Sequence, residues 1–449
     1  MTKSQIQKFA SIINFENFLI IYILLQPFID VATSLCVRFI NSYFTIGIFI
    51  RTLFLLFTLI YSFTISNKKW RRIIFVYCIF LFIYFILFFM NIYFNIGFFM
   101  IITQLKSLIK IFYFSSLLIS IIPIMQKICF DNKYLIFTLF GYTSILCTTL
   151  FLGISFDSYA NGSGYGKNGL FYAANEIGTT LCILMPFLFL NLLNYNFKNF
   201  KKKSLIELIT LIFVIISALW MGTKVPFIGL ILSLLVSFGI CIINILKRKN
   251  IKEHLYKIGT IIFVFFIIFN IISYSPIGKN LGISINRISN ISKTNNNKTS
   301  DSSSSKNQNV ETVILSSRDI YYDNTLKEYK NSSTISKLLG IGFISNQNGF
   351  LSERKNIEID YFDILFSTGL IGFILFFVPL IILLLYILKL LWNKKYLIFE
   401  NNIIFYLYLI FISLIIARLS GHIFTAPAVS FYFALIINKL ICILKSKEE

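Results

Sequence analysis

The sequence predicts an all-α polytopic membrane protein with about twelve transmembrane helices and one large extracytoplasmic loop. Of the 449 residues, 57% are hydrophobic and 17% are aromatic, a composition too apolar for a soluble domain. Apolar runs of about 18 residues or more, the length that a helix needs to cross a bilayer, recur along the whole chain. The long polar exception, residues 275–363, predicts the loop.

The apolar runs predict twelve spans. In chain order they are about 17–36, 43–65, 73–94, 105–123, 134–156, 171–194, 205–221, 225–246, 258–274, 364–391, 403–417 and 426–443. The first run follows a short basic leader, and no small-residue cleavage site comes after it, so we interpret it as a transmembrane helix and not a signal peptide. The predicted organisation is a membrane bundle of about nine helices over 1–274, the large loop over 275–363, and the last three helices with a tail over 364–449.

The positive charge predicts the orientation of the bundle. The formal charge is +22, and lysine and arginine concentrate in every second loop between the predicted spans, as the positive-inside rule requires of cytoplasmic loops. Both termini are therefore predicted to be cytoplasmic and residues 275–363 extracytoplasmic, in a multi-pass protein of the cell membrane. Because these cations are explained by the lipid bilayer, nucleic acid is not an expected partner.

Cofactor and metal motifs are missing from the sequence. The seven cysteines lie in or beside apolar segments, and no CxxC spacing suggests a zinc site or a disulfide framework. A Walker A sequence and a GxGxxG pattern are also lacking, so no nucleotide site is visible. The chain has two histidines, and Glu358-Ile359-Asp360 only approaches an acidic metal motif. We expect no cofactor and a metal-independent chemistry.

The large loop divides into a polar middle and a structured end. Residues 289–309 are rich in Ser, Asn and Lys and have almost no apolar surface to bury, so we predict disorder there. Ser316 and Asp319 have the spacing of a capping box, which predicts a helix over about 317–331 with Arg318 in its first turn. Residues 338–343, with two glycines, predict a turn back towards the membrane.

Cations are predicted to gather in the outer half of the membrane, where the positive-inside rule does not place them. A bound anion there, of which a lipid diphosphate is the obvious candidate, would explain them, because Arg binds phosphate oxygens in pairs and Lys acts as a point charge. For each cation alone, the alternatives are snorkelling, pairing with Asp30 or solvation. The candidate residues are Arg51, Lys106, Lys110, Lys224, Arg287, Arg318 and Arg418.

Carboxylates near the same surface could supply a base. Glu358 and Asp360 lie two residues apart just before the tenth span, where a carboxylate could accept a proton from a sugar hydroxyl. Simple solvation of the loop is the alternative. Asn175 and Glu176 enter the sixth span from the same side, where helix capping is the more common role and ligand binding the less common one.

These motifs, taken in order, resemble the Wzy-type polysaccharide polymerases of the O-antigen polymerase and ligase superfamily. Their order, the twelve spans and the large loop before the tenth span make the resemblance fairly specific, although each motif is short. The matching motifs are Pro27-Phe28-Ile29-Asp30, Gly169-Leu170-Phe171 with Asn175-Glu176, Gly222-Thr223-Lys224, Ser317-Arg318-Asp319 with Gly340-Ile341-Gly342, and Glu358-Ile359-Asp360-Tyr361 leading to Gly369-Leu370-Ile371-Gly372.

The resemblance implies a GT-C-like fold and an inverting glycosyl transfer at the outer face of the membrane. A growing chain on undecaprenyl diphosphate would pass to the non-reducing end of a new lipid-linked repeat unit. Arg318 and Arg287 would contact diphosphate or acceptor, with Lys224 in support, and Glu358 or Asp360 would stand where many ligases carry a loop histidine. A flippase and a chain-length regulator of the same pathway are the implied protein partners.

Two alternatives remain open from the sequence. One is a ligase that moves a finished glycan to another acceptor, although the large loop lacks the histidine of the ligase pattern. The other is a flippase or transporter for lipid-linked oligosaccharides. A transporter should carry charge on both sides of the midplane and often shows internal repeats, whereas these cations are predicted to cluster outside and no repeat is visible by eye.

Overall fold

A computed structural model describes residues 15–40, 45–93, 98–128, 130–159, 164–194, 202–296, 318–347 and 350–446. Within these ranges the chain is a bundle of long helices with one two-stranded sheet, which confirms the predicted all-α polytopic membrane fold. By length and composition, eleven of the described helices could cross a membrane. We call the end of the bundle that carries residues 275–359 the loop face, and the opposite end the short-loop face.

The helices before the large loop follow one another through short connections. They are α1 (Phe15–Leu35, continued by a π-helical turn, Cys36–Ile40), α2 (Ile46–Ile65), α3 (Lys68–Tyr93), α4 (Phe98–Met125), α5 (Lys133–Phe151), α6 (Ala174–Asn194), α7 (Lys202–Trp220), α8 (Lys224–Leu246) and α9 (Ile251–Ile272).

Helix α7 completes the predicted count of about twelve spans. Its apolar part, Leu205–Trp220, is shorter than the eleven candidate spans. It nevertheless ends at the loop face, because the Trp220 carbonyl accepts a hydrogen bond from Lys167 N at 3.0 Å. In the turn that follows, the Gly222 carbonyl accepts a hydrogen bond at 2.8 Å from Nδ2 of Asn280, a residue of the large loop. Since α6 runs from the loop face to the short-loop face, α7 returns across the bundle.

The large loop is largely helical where it is described. It contains α10 (Pro276–Asn296), α11 (Arg318–Asn331), α12 (Thr334–Leu339) and an antiparallel pair of strands, β1 (Ile344–Gln347) and β2 (Phe350–Glu353). The last three long helices are α13 (Asp360–Asn393), α14 (Asn401–Leu419) and α15 (Pro427–Ser446), with a 3-10 turn, Lys395–Phe399, between the first two.

Two expectations for this loop have different outcomes. Helix α11 matches the helix predicted over about 317–331, although Ser316 of the expected capping box lies outside the described residues. Disorder was predicted over 289–309, but α10 continues to Asn296, so the prediction is wrong for residues 289–296. The rest of that segment, 297–309, lies outside the described residues. The helix starts at Pro276 behind Ser275, whose hydroxyl accepts from Gly278 N at 3.3 Å.

Three helices form the centre of the bundle. In an apolar stretch of 18 residues within each helix, 89% of the residues are buried in α4 and 83% in both α6 and α15, against 17% in α3 and in α9. Helix α4 packs on α2 and α15, and α6 packs on α8. The first residues of α6 and the connection that leads into α15 therefore lie at the middle of the loop face, while α3 and α9 present apolar side chains outward, as helices facing lipid do.

Helix α13 is interrupted near the loop face. Gly369 has φ +67° and ψ −177°, which breaks the helix and is favourable only for glycine. The turn predicted over residues 338–343 packs into this break, where Gly342 N donates to Ser367 O at 3.1 Å. Tyr84 of α3 donates to Thr368 O at 2.7 Å and so holds the same break from the other side.

The break separates a short surface helix from a membrane-crossing one. The part of α13 after Gly369 is roughly 36 Å long at 1.5 Å per residue, enough to cross a bilayer alone. Residues 360–368 are therefore free to lie at the loop face beside α11 and α12. This arrangement places the residues just before α13 above the centre of the bundle.

Candidate functional site

The residues predicted to carry chemistry meet around Glu358, two residues before α13. Its Oε2 accepts hydrogen bonds from Arg318 Nη2 at 2.8 Å and from Asn175 Nδ2 at 3.3 Å. Arg318 is the first residue of α11 and Asn175 the second of α6, so three distant segments contribute one side chain each. We call these three residues the loop-face cluster. The Arg318 side chain is 13% exposed and that of Glu358 is 35% exposed, so the carboxylate lies on the open side.

Both charged groups of the cluster keep an unused hydrogen-bonding position. Arg318 Nη1 donates to Leu419 O at 3.3 Å, but its Nε is buried and has no acceptor among the described residues. Glu358 Oε1 likewise receives no hydrogen bond within the described part of the chain. A guanidinium donor of this kind suits a phosphate oxygen, and a free carboxylate oxygen suits a hydroxyl proton.

A strained backbone presents the Glu358 side chain. Glu358 has φ +63°, a left-handed conformation that costs a non-glycine residue on the order of 1–3 kcal/mol. Asp363 compensates, because its carboxylate accepts from Ile357 N at 2.8 Å and from Glu358 N at 3.0 Å. Asp363 thus acts as a positioning residue for Glu358, one helical turn into α13.

Asp360, the second predicted carboxylate, is fully buried and has a different set of partners. It accepts from the backbone N–H groups of His422, Ile423 and Phe424 at 2.8–2.9 Å and from Thr425 Oγ1 at 2.6 Å. These donors use both oxygens, so Asp360 anchors the connection between α14 and α15 beneath the cluster. Of the predicted pair, Glu358 is the carboxylate that faces the open side.

Arg51 lies deeper in the bundle than the cluster. Its Nη2 is 2.5 Å from Asp30 Oδ1, and Gln26 Oε1 accepts from its Nε and Nη2 at 3.2 and 2.9 Å. Tyr142 donates to the other Asp30 oxygen at 2.6 Å. Pairing with Asp30 was the alternative role considered for Arg51, and the structure shows that its charge is neutralised internally.

Lys110 lies on α4 close to the entry of α6. The charge of Glu176, which follows Asn175 in α6, acts on Lys110, as do the charges of Lys106 and Glu353. Lys106 is in turn 3.9 Å from Glu353 at the end of β2. Lys110 therefore borders the loop-face cluster from the α4 side, while no hydrogen bond or ion pair joins it to the cluster in the described part of the chain.

Lys224 begins α8 on another side of the cluster. The preceding carbonyl, Gly222 O, accepts from the Tyr159 hydroxyl at 3.0 Å. Burial raises the pKa of Tyr159, and the nearby Arg318 guanidinium acts in the opposite direction. Since Tyr159 lies close to both, the 222–224 turn is a neighbour of the cluster, and sequence reasoning did not single out Tyr159.

The two remaining predicted cations are Arg418 and Arg287, and the structure describes the side chain of Arg418 only. Arg418 is exposed in the last turn of α14, and its Cζ lies 5.1 Å from the centre of the Phe362 ring. The next residue, Leu419, supplies the carbonyl that Arg318 contacts. Arg287 lies on α10, but its side chain is outside the part that the structure describes.

Arg38 is a further cation at the loop face that the sequence reasoning missed. It ends α1, with Cζ 4.0 Å from the centre of the Phe156 ring and Nη2 3.5 Å from Phe171 O. It is exposed at the same face as the predicted cations, against the positive-inside rule. An arginine at the predicted outer end of the first span is an exception to the positive-inside rule, and this exception could have identified Arg38 from the sequence.

A metal site does not emerge from the geometry of the described residues. Among them, no group of three or more His, Cys, Asp or Glu side chains is placed to hold a metal ion. Asp360 and Asp363 instead accept backbone hydrogen bonds. What the arrangement presents is a buried guanidinium donor on Arg318 and an open carboxylate oxygen on Glu358.

Comparison with known proteins identifies the family of the chain. A family model described as O-antigen ligase like membrane protein matches residues 13–447, which includes every long helix and the large loop. No curated protein matches the chain at a significant level. The match spans nearly the whole chain and agrees with the resemblance drawn from its motifs. The chain therefore belongs to the family of O-antigen ligase like membrane proteins, a family of membrane glycan polymerases and ligases.

Proposed function

We propose that the protein is a polysaccharide polymerase that joins repeat units carried on undecaprenyl diphosphate. The observation that carries the proposal is the loop-face cluster, where a buried guanidinium with an unused donor lies against a carboxylate with an unused acceptor. Membership of the family supports glycan transfer at a membrane. By the positive-inside rule, the loop face is the outer face of the cytoplasmic membrane and both termini are cytoplasmic.

The reaction needs a held leaving group and a base. A hydroxyl of the acceptor sugar attacks the anomeric carbon of the donor from the side opposite the diphosphate. The new C–O bond forms as the bond to the diphosphate oxygen breaks, so the configuration at that carbon inverts. Glu358 takes the hydroxyl proton, and Arg318 holds the diphosphate as it leaves with the bonding electrons. No cofactor or metal ion is required by this scheme.

The ion pair between Arg318 and Glu358 couples these two roles. With the pair closed at 2.8 Å, the carboxylate occupies a position that a phosphate oxygen would take on the guanidinium. Diphosphate binding displaces Glu358 from Arg318 and thereby frees the carboxylate to act as a base. Glu358 would then be available as a base only when the diphosphate of the donor, which is the leaving group, is bound to Arg318.

The neighbouring cations extend the anion site. Lys224 and Arg418 flank the cluster, and we include Arg287 of α10 and Lys110 of α4 in the binding surface for the lipid diphosphate. We propose Asn175 as the residue that orients Glu358, because it donates to the same carboxylate oxygen as Arg318 does. The product would be a capsule or another cell-surface glycan, made together with a flippase and a chain-length regulator.

A ligase is the second candidate, because the family description names one. In a ligase the same cluster would transfer a finished lipid-linked glycan to a different acceptor. A transporter is the third candidate, and the experiment should distinguish it from the two enzymes. It would leave the glycosidic bonds of its substrate unchanged.

A reconstituted reaction tests the proposal. The full chain in vesicles is supplied with lipid-linked single repeat units, or with finished lipid-linked glycan and a separate acceptor. A ladder of longer glycans from single units alone, abolished in Glu358→Gln, supports the polymerase. Transfer only in the second mixture would show a ligase. Movement of units across the bilayer without new bonds would overturn both enzyme assignments.

A further inference from the structure

A second polar site lies at the short-loop face, a bilayer away from the loop-face cluster. An open cavity of about 610 Å³ lies between the end of α6, the turn from α8 to α9, and the connection from α13 to α14. We call it the short-loop cavity. Its lining includes Lys247, Lys249, His254 and Lys257. Neither the predicted motifs nor the proposed reaction uses these residues.

The charge of the lining favours an anion. It contains three lysines and two glutamates, of which Lys257 and Glu253 pair with each other at 2.5 Å. Lys257 also donates to Leu193 O at 2.6 Å, so its role is to hold α9 against α6. Lys247 and Lys249 are exposed, and Lys247 donates to Phe399 O at 3.3 Å. With Glu400 as the second glutamate of the lining, the cavity keeps an excess of positive charge.

Two helix N-termini and a buried histidine add polar groups that suit an anion. Helices α9 and α14 both start at this cavity, and the side chains of their N-cap residues, Asn250 and Glu400, make no capping hydrogen bond. Free N–H groups at a helix start favour anions. His254 is 8% exposed, and its Nδ1 is buried without a partner among the described residues. A polar ligand in the cavity would satisfy these groups.

Exposed aromatic side chains place the cavity at the level of lipid headgroups. Tyr256, Trp392 and Tyr396 are 73%, 74% and 69% exposed. Exposed Trp and Tyr are typical of the interface between membrane and water. Tyr396 also lines the cavity itself. A ligand could therefore reach the cavity directly from the bilayer surface.

We propose that the short-loop cavity binds the phosphate group of an anionic phospholipid headgroup. Basic cavities between transmembrane helices at this level suit such headgroups, because nearby lysines attract the phosphate and helix ends donate hydrogen bonds to it. The same chemistry would accept a free phosphate ester, so the test must separate the two sources. The proposal does not depend on the reaction at the loop-face cluster.

Native mass spectrometry of the full chain tests the proposal. Phosphatidylglycerol and phosphatidylcholine with identical acyl chains are titrated separately, and glycerol phosphate is added as the soluble ester. The variant is Lys247→Gln with Lys249→Gln. Its matched control is Lys68→Gln with Lys69→Gln, which removes two exposed lysines at the same face outside the cavity.

Each lysine near an anionic headgroup contributes about 1 kcal/mol, so the cavity variant should bind phosphatidylglycerol roughly 25-fold more weakly. The control should bind phosphatidylglycerol with an affinity within about twofold of that of the unmodified protein. The affinity for phosphatidylcholine should not change in either variant. His254→Ala should weaken phosphatidylglycerol binding while the thermal unfolding midpoint stays unchanged. Equal losses in variant and control, or no loss in the variant, would overturn the proposal. Glycerol phosphate binding as tightly as the lipid would overturn the lipid as the source.

Discussion

Replacing Arg318 with alanine should separate activity from stability. The substitution removes the guanidinium that contacts Glu358 at 2.8 Å and Leu419 O at 3.3 Å, and with it the buried Nε donor. Loss of one preorganised donor that stabilises developing charge typically lowers the rate about 100- to 1,000-fold. The effect on folding should be small, about 1 kcal/mol or less, because the partner carboxylate is 35% exposed and can be solvated.

The control for this variant lies in the same loop. Arg354 forms a comparable ion pair with Glu328 at 2.8 Å, and its side chain is 10% exposed, but it contacts the Gly342 carbonyl and not the cluster. Arg354→Ala should lower the unfolding midpoint and keep polymer synthesis per folded molecule. The assay is the initial rate of glycan extension in vesicles, normalised to folded protein. A rate for Arg318→Ala within about threefold of the unmodified protein, far from the expected loss, would refute the reasoning.

Three further substitutions test the arrangement around the cluster. Glu358→Gln keeps the size of the side chain but removes the base, so extension should fall about 100- to 10,000-fold with an unchanged unfolding midpoint; normal extension would exclude Glu358 as the base. Asp360→Asn places an amide where four donors now meet a buried carboxylate, which should cost about 2 kcal/mol or more and lower the midpoint measured by thermal unfolding. Gly369→Ala would bring a Cβ into the backbone nitrogen of Gly340 and strain φ, so folded protein should not accumulate in membranes, as seen by detergent size-exclusion chromatography; normal accumulation would contradict the tight packing at the break.

Hydropathy and charge predicted the helices and the large loop because those features depend on local composition. A run of apolar residues identifies a span wherever it packs. The helix predicted over about 317–331 from local capping signals likewise agrees with α11, Arg318–Asn331. By contrast, α10 was not predicted, because the Ser275-Pro276 helix start was overlooked and the low hydrophobicity over 289–296 suggested disorder.

The role of Asp360 could not be predicted from its local sequence. Two carboxylates at Glu358 and Asp360 are equivalent by spacing, but the donors to Asp360 come from residues more than 60 positions later, at His422 to Thr425. Those contacts depend on how α14 and α15 pack against the start of α13. The same holds for Gly369, whose left-handed conformation depends on the turn that packs into the break.

The deep position of Arg51 shows another limit of sequence reasoning. Its depth in the second span was predicted from the apolar run, and Asp30 was considered as its partner. The sequence pattern could not distinguish an internal ion pair of Arg51 from a role in ligand binding, because the difference depends on the rotation of α1 against α2. The structure shows the ion pair with Asp30 and the added hydrogen bonds from Arg51 to Gln26.

The most direct test of the central claim is the pool of lipid-linked glycans in cells that lack this protein, with the membrane leaflet of each species determined. We expect single repeat units to accumulate on the outer face, and the pool to return to normal when the protein, but not Arg318→Ala, is restored. Single units trapped on the inner face would show a transporter. Full-length polymer retained on its lipid carrier would show a ligase, and either result would contradict polymerisation at the loop-face cluster.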